Sequence, residues 1–221
     1  MTDPTARSPF ASWTQAAFTD ALAAKRSVPG GGAAAGSALS HSAALGSMVI
    51  AFTRGKKRYA EHETLLADVA SRLDDARAEG WRLADLDAEG FEALSALWPL
   101  APDDPARVAG WADAVRAAVA APRDVVRAAD RITTDLASLV GRTSPLLRSD
   151  LAIAGRFAAL AAEAAGWNVE MNLEALAALP DGGAAESASL AREVPEIIAR
   201  VKGAADRIDA ACRAGGRETI G

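Results

Sequence analysis

Apolar residues recur at intervals of three and four along most of the chain, which is the period of a helix packed on one side. Asp104 followed by Pro105 is a predicted helix start. Pro122 is expected to interrupt the helix that follows, and Pro195 to kink the last helix. The pattern predicts six or seven helices. In chain order they cover about 10–26, 33–53, 59–98, 105–139 (broken at Pro122) and 149–179, followed by a last helix that ends near 214.

These elements predict an all-α, single-domain bundle over 10–214, with a flexible N-terminal tail (1–9) and a C-terminal tail (215–221). Half of the residues are hydrophobic and only 5% are aromatic. Much of the hydrophobic share is Ala, which loses no side-chain entropy in a helix, and the β-branched and aromatic runs typical of strands are nearly absent. No sheet is therefore expected.

The charge and cysteine content exclude several classes of protein. The net charge of −5 offers no basic field for nucleic acid or for an anionic membrane. Cys212 is the only cysteine, so an internal disulfide is impossible. No stretch is expected to reach the roughly 18 apolar residues of a membrane span, and His41, His62 and Cys212 lack metal-site spacing. We expect a cytoplasmic protein with no metal, nucleic-acid partner or membrane partner.

One carboxylate lies in the middle of an apolar helical stripe. At 3.6 residues per turn, Asp87 shares a face with four large apolar residues, whereas Asp85 lies away from that face. Burying an unpaired carboxylate is expensive, so Asp87 is either a general acid/base of raised pKa or a structural carboxylate bonded to a neighbouring helix. The stripe consists of Leu83, Asp87, Phe91, Leu94 and Trp98.

The segment after Ser149, its predicted N-cap, has two apolar faces, and both are expected to lie inside the protein. The large-residue face comprises Ile153, Phe157, Leu160, Ala164, Trp167 and Met171. The small-residue face allows close helix approach and is the expected dimer contact; it comprises Ala154, Ala158, Ala161 and Ala165. Asn168 and Asn172 extend it, where their amides would bond either a ligand ring or a neighbouring helix.

Further candidates each have a structural alternative. Arg148 and Asp150 flank the predicted N-cap and would meet an anion or simply cap the helix. The turn Gly30-Gly31-Gly32 would let a ligand approach the backbone, or would be a tight interhelix turn. His41 is a ligand contact or a satisfied core histidine. The basic cluster over 54–58 is a solvated helix end or attracts a polyanionic tail.

Three segments form a set of motifs along the chain. The first segment runs from Val28-Pro29-Gly30-Gly31-Gly32 through Gly46-Ser47-Met48-Val49 to Thr53-Arg54-Gly55-Lys56-Lys57 and Tyr59. The second is Asp85-Leu86-Asp87-Ala88-Glu89-Gly90-Phe91, and the third is Arg148-Ser149-Asp150-Leu151 with Asn168-Val169 and Asn172-Leu173. Together and in this order they resemble the cyclodeaminase/cyclohydrolase family of folate one-carbon metabolism, whose D-x-D-A-x-x-F pattern is similar to the second segment. Ala33 stands where relatives often carry Ser.

The resemblance implies an all-α homodimer that acts on a one-carbon tetrahydrofolate, with no cofactor beyond that substrate and with Asp87 as the catalytic residue. It implies 5,10-methenyltetrahydrofolate cyclohydrolase activity; the alternatives are a stand-alone formiminotetrahydrofolate cyclodeaminase and a non-catalytic folate-binding dimer. Lys56, Lys57 and Arg148 are candidates for the glutamate carboxylates of folate. The remaining expected substrate contacts are Gly30, Gly31, Gly32, His41, Asp150, Asn168 and Asn172.

Overall fold

The computed structural model describes residues 8–214, and these contain six α-helices and no strand. The predicted all-α fold is therefore confirmed. Three short 3₁₀ helices at 10–12, 57–62 and 145–147 join the longer elements. The predicted tails at 1–7 and 215–221 lie outside the described residues. The helices are α1 (Gln15–Ala23), α2 (Gly31–Ala51), α3 (Glu63–Leu97), α4 (Pro105–Ser138), α5 (Arg148–Ala177) and α6 (Gly183–Ala214).

Helix α2 lies between α3 and α5. It approaches α3 closely because both helices have glycine at the crossing: a Cβ on Gly36 would lie 2.6 Å from the carbonyl oxygen of Gly80. The Ser40 hydroxyl donates to the carbonyl of Arg77 on α3 (2.9 Å), and the Ser42 hydroxyl donates to the carbonyl of Ala154 on α5 (2.8 Å). These contacts fix α2 in register between two longer helices that run antiparallel to it.

Helix α4 confirms one prediction from the sequence and contradicts another. Asp104 caps its start as predicted, accepting from the backbone N–H of Ala106 at 2.8 Å. The predicted interruption at Pro122 is wrong, because α4 is one helix over Pro105–Ser138. A proline inside a helix costs about 3 kcal/mol, and the apolar stripe of α4 is buried on both sides of it. Burial of that stripe outweighs the missing hydrogen bond.

Helix α5 corrects three predictions. It begins at Arg148, and Ser149 does not cap it, since the cap position is Leu147 and no side chain bonds there. The small-residue face is not available to a second chain, because its four alanines are fully buried within one chain, where α5 packs against α2, α4 and α6. The large-residue face is not inside: Trp167 is 67% exposed and Met171 is 76% exposed.

The N-terminal segment forms a small second core over α3. Phe10 packs edge-to-face on Trp13 and Phe18, and its backbone N–H donates to the Asp85 carboxylate at 3.0 Å. Asp85, which lies away from the Asp87 face of α3, is therefore a structural acceptor. The predicted helix over 10–26 is α1 preceded by a 3₁₀ turn.

One described helix, α2, is long and apolar enough to cross a membrane by length and composition, contrary to the expectation from the sequence. The helix has 21 residues, and 61% of its most apolar window is buried inside the protein. Such burial is typical of the core helix of a globular protein, and it accounts for the apolar composition of α2.

Candidate functional site

The Asp87 carboxylate lies over the first turn of α2. Gly30 is the cap residue of that helix and supplies no side chain to its N–H groups. Asp87 takes this role from α3 by accepting a hydrogen bond from the backbone N–H of Ala33. The approach requires glycine at position 32, because a Cβ there would overlap the Asp87 carboxylate. The glycine turn and the acidic motif, distant in sequence, thus form one site.

Burial sets the protonation of this site. Desolvation raises the pKa of Asp87 to about 6, and the hydrogen bond from Ala33 opposes that rise by stabilising the charged form. A carboxyl group with a pKa near 6 exchanges protons readily at neutral pH, as a general acid/base must. The hydrogen bond to α2 agrees with the structural interpretation of Asp87, and its raised pKa agrees with the acid/base interpretation.

Helix α5 brings the two asparagines to the same place. A Cβ on Gly31 would lie 3.8 Å from the Oδ1 atom of Asn168, so that side chain borders the first turn of α2. The amide N–H₂ of Asn168 donates to the carbonyl of Ala164 (3.2 Å), and that of Asn172 donates to the carbonyl of Asn168 (2.8 Å). These bonds stay within α5, which leaves the amide oxygens as the groups available to a ligand.

The basic candidates lie at the other end of the molecule. Lys56 and Lys57 follow the C-terminal end of α2, about 30 Å from its glycines at 1.5 Å per residue. Arg148 and Asp150 stand in the first turn of α5, about as far from Asn168. These two ends adjoin, since the backbone N–H of Ser144 donates to the Thr53 hydroxyl at 3.1 Å. Within one chain, the structure therefore does not bring these four residues to Asp87.

His41 lies between the two ends. Its ring stacks on Phe157 of α5 at 5.7 Å, and its Nδ1–H donates to the carbonyl of Ser37 at 2.7 Å. Ten residues separate it from Gly31, or about 15 Å along α2. These contacts are those of a satisfied, half-buried histidine at the protein surface, and they favour the structural interpretation over direct contact with the substrate.

The sequence did not predict two features of the structure. The Tyr59 hydroxyl is buried with no hydrogen-bond partner in the part of the chain that the structure describes, and it lies two residues from Lys57. Phe91 and Trp98, expected inside, are 37% and 53% exposed. The period of the stripe gave the direction of both side chains correctly but could not show that α2 begins beside Asp87. Over residues 8–214 no group of three or more His, Cys, Asp or Glu side chains is arranged to hold a metal ion.

The formiminotransferase-cyclodeaminase family model matches residues 14–201, which is most of the chain and includes every residue of this site. The chain belongs to that family. Its 163-residue match to the methenyltetrahydrofolate cyclohydrolase of Methylorubrum extorquens is 32% identical and covers 72% of this chain and 78% of that protein.

Other relatives are named cyclodeaminases. The formimidoyltransferase-cyclodeaminase of Gallus gallus is 26% identical over 162 residues, and the match spans only 30% of its length. The formiminotetrahydrofolate cyclodeaminase of Thermotoga maritima has the same fold, with a TM-score of 0.82 over 92% of this chain and 98% of that one, at 24% identity.

Proposed function

We propose that this protein hydrolyses 5,10-methenyltetrahydrofolate to 10-formyltetrahydrofolate, with Asp87 as the general acid/base. The observation that carries the proposal is the position of Asp87: a desolvated carboxylate of raised pKa over the uncapped first turn of α2. Its negative charge also stabilises a cationic one-carbon bridge nearby. Two relatives match over most of their own length: the one named a cyclohydrolase is 32% identical and the one named a cyclodeaminase is 24% identical. The higher identity favours hydrolysis over ammonia release.

The reaction needs one group to move a proton twice. Water adds to the methenyl carbon while Asp87 accepts one of its protons, which gives a tetrahedral carbon bonded to N5, N10 and a hydroxyl group. Asp87 then donates that proton to N5 as the bond between carbon and N5 breaks. The hydroxyl proton leaves as the formyl carbonyl forms on N10, so one proton is released to solvent. A pKa near 6 suits both transfers.

The cyclodeaminase reaction is the second candidate, because the same proton relay serves it. There N10 attacks a 5-formimino carbon, and Asp87 protonates the leaving ammonia. Two assays separate the candidates: decay of the methenyltetrahydrofolate absorbance, and ammonia release from 5-formiminotetrahydrofolate. We expect the first rate to exceed the second. Dominant ammonia release would reverse the assignment, and folate binding without either turnover would indicate the non-catalytic dimer.

We also propose that the protein is a homodimer joined through the exposed large-residue face of α5. Its six residues are spaced 4, 3, 4, 3 and 4 apart, a pattern that reads the same in both directions about position 162. A twofold axis there pairs α5 with an antiparallel copy, so that each residue meets the one at the mirrored position, as an isologous interface requires. Phe157 then faces Trp167 of the partner subunit.

Leu160 lies beside the centre of this face, so a charge there tests it. Leu160→Arg should raise the dissociation constant of the dimer by about two orders of magnitude or more, because two charges would be buried. Leu146→Arg is the control, since Leu146 is exposed and outside the face. Sedimentation should show a folded monomer only for the first variant. A dimer of unchanged stability would place the interface elsewhere.

Antiparallel pairing also accounts for the distant basic residues. It puts the first turn of α5 of one subunit opposite the last turns of α5 in the other, where Asn172 lies. Arg148 of the partner subunit and the adjoining Lys56 of the partner subunit then come near the site. We propose that these groups bind the glutamate end of folate across the interface.

Mixed dimers test this arrangement. An Asp87→Asn chain and a chain lacking both Lys56 and Lys57 should each turn over poorly at low substrate concentration. Their heterodimer contains one complete site only if the lysines act across the interface, so each heterodimer should then show up to half of the activity of a wild-type dimer. No recovery on mixing, with heterodimers demonstrated, would place the lysines outside the site.

We further propose that the protein works in the reducing cytoplasm. The one cysteine, Cys212, is a buried free thiol, which needs no oxidising compartment. Fractionation of cells should recover the folate activity with soluble cytoplasmic markers, and recovery with membranes would contradict this.

A further inference from the structure

Beyond Asp87, α3 continues without α2 beside it. Ala84 packs on α2 near Gly36, and the first turn of α2 is reached at Asp87. Helix α3 then runs ten more residues to Leu97, about 15 Å at 1.5 Å per residue. The same side of α3 that packs on α2 is therefore uncovered over this length.

Two aromatic side chains occupy that uncovered side. Phe91 lies one turn past Asp87, and residues four apart on a helix share a face. Trp98 lies two turns further on the same side, and the two rings meet edge-to-face with centroids 6.1 Å apart. Both side chains are exposed, although the large aromatic side chains of soluble proteins are ordinarily buried. We call Phe91 and Trp98 the aromatic shelf.

The end of the shelf is held in place by α4. Arg107 donates to the carbonyl oxygens of Trp98 (3.2 Å) and Leu100 (2.6 Å), and its guanidinium lies over the ring of Trp111 at 4.2 Å. These contacts fix the backbone that carries Trp98 while its ring stays in solvent. An exposed ring that is fixed in place on the same side of α3 as a reactive carboxylate has the form of a ligand contact rather than of an unfinished core.

Resting on the proposed function, we infer that the aromatic shelf binds the p-aminobenzoyl ring of the folate substrate. The reacting carbon bridges N5 of the pterin and N10 of the p-aminobenzoyl group, so with that carbon at Asp87 the two ring systems extend in different directions. The pterin carries N–H groups that need acceptors, which Asn168 offers on α5 beside the first turn of α2. The p-aminobenzoyl ring has apolar faces, which match Phe91 and Trp98 on α3.

Variants that keep an apolar side chain but remove the aromatic ring test the shelf. An aromatic pair contributes about 0.5–1.5 kcal/mol beyond its buried area, a factor of roughly 2 to 12 in affinity. Trp98→Leu and Phe91→Leu should raise the dissociation constant of p-aminobenzoylglutamate, measured by calorimetry, by such a factor, whereas Trp98→Phe should nearly restore it. Leu86→Ala is the matched control, since Leu86 is as exposed as Phe91 (38%) on another side of α3 and should change nothing.

Kinetics and a second fragment complete the test. In Trp98→Leu, KM for the folate substrate should rise by the same factor with kcat within about threefold, because a distant ring contact acts on ground and transition states alike. Binding of a pterin without the aminobenzoyl group should be unchanged. Weakened pterin binding with normal p-aminobenzoylglutamate binding would overturn the assignment, as would two unaffected fragments. Because fragment binding is measured without turnover, it distinguishes failure of the shelf from failure of the proposed reaction.

Discussion

Replacing Asp87 with Asn should make the protein more stable while it loses activity. Desolvation raises the pKa of Asp87 to about 6 in the folded chain, against an ordinary value of 3.8. The folded state therefore binds this proton more tightly than the unfolded state does. Asn carries no charge to desolvate, and its Oδ1 atom can still accept from the backbone N–H of Ala33.

The size of the effect follows from that pKa difference of about two. At about 1.4 kcal/mol per pKa unit the difference gives roughly 3 kcal/mol, which partial exposure of the side chain reduces to about 1–3 kcal/mol. Well below pH 3.8 Asp87 is protonated in both states and costs nothing. As the pH rises from 4 to 6 the unfolded chain ionises first, so wild-type stability falls over this window and stays lower above it.

Urea unfolding at pH 4 and at pH 7.5 measures this directly. The free energy of unfolding of Asp87→Asn should exceed that of wild type at pH 7.5 and match it near pH 4, while kcat falls by about 10²–10⁴. Glu89→Gln, an exposed carboxylate two residues away, should change neither quantity. A variant that is less stable at pH 7.5 but keeps near-normal turnover would make Asp87 a structural carboxylate, and our assignment would be wrong.

The same geometry gives two further expectations. Gly32→Ala should lower kcat nearly as much as loss of Asp87 does, because the new Cβ displaces the carboxylate, and the variant should still fold. Gly155→Ala is the control, since it gives the same gain in helix propensity. Its Cβ would lie 3.6 Å from the nearest atom, so this variant should keep full activity. The kcat/KM of wild type should fall as the pH drops below about 6, where Asp87 loses its basic form, and a profile flat from pH 5 to 8 would contradict a base of this pKa.

The sequence predicted the face of α3 on which Asp87 lies, because helical period alone decides which side chains share a face. Asp87 lies on the side of α3 that packs on its neighbours, as its apolar companions indicate. The same period placed Phe91 and Trp98 on that side but could not reveal that they are exposed. Their exposure depends on where α2 begins, and that is a property of the assembled bundle.

The two faces of α5 show a different limit. Both faces are apolar, so each satisfies the sequence criterion for a buried face. Close packing decided between them: the alanine face lets α5 approach α2, α4 and α6 together, and the bulkier face remains outside. Predicting a dimer through the alanines reversed this assignment. Position along the chain likewise could not show how far Lys56 and Arg148 lie from Asp87, because antiparallel helices put consecutive motifs at opposite ends of the bundle.

The start of α2 shows why function and local sequence rules disagree at this site. Helices are ordinarily capped by Ser, Thr, Asp or Asn next to the first turn, yet here the cap is Gly30 and two further glycines follow. Local propensity alone would make this a poor helix start. The glycines leave the helix N–H groups open and let the Asp87 carboxylate reach them from α3, at a cost in its own desolvation. A side-chain cap on α2 or a Cβ at position 32 would compete with or displace Asp87 where the proposed chemistry needs it, which is the disagreement between local and global preference expected of an active site.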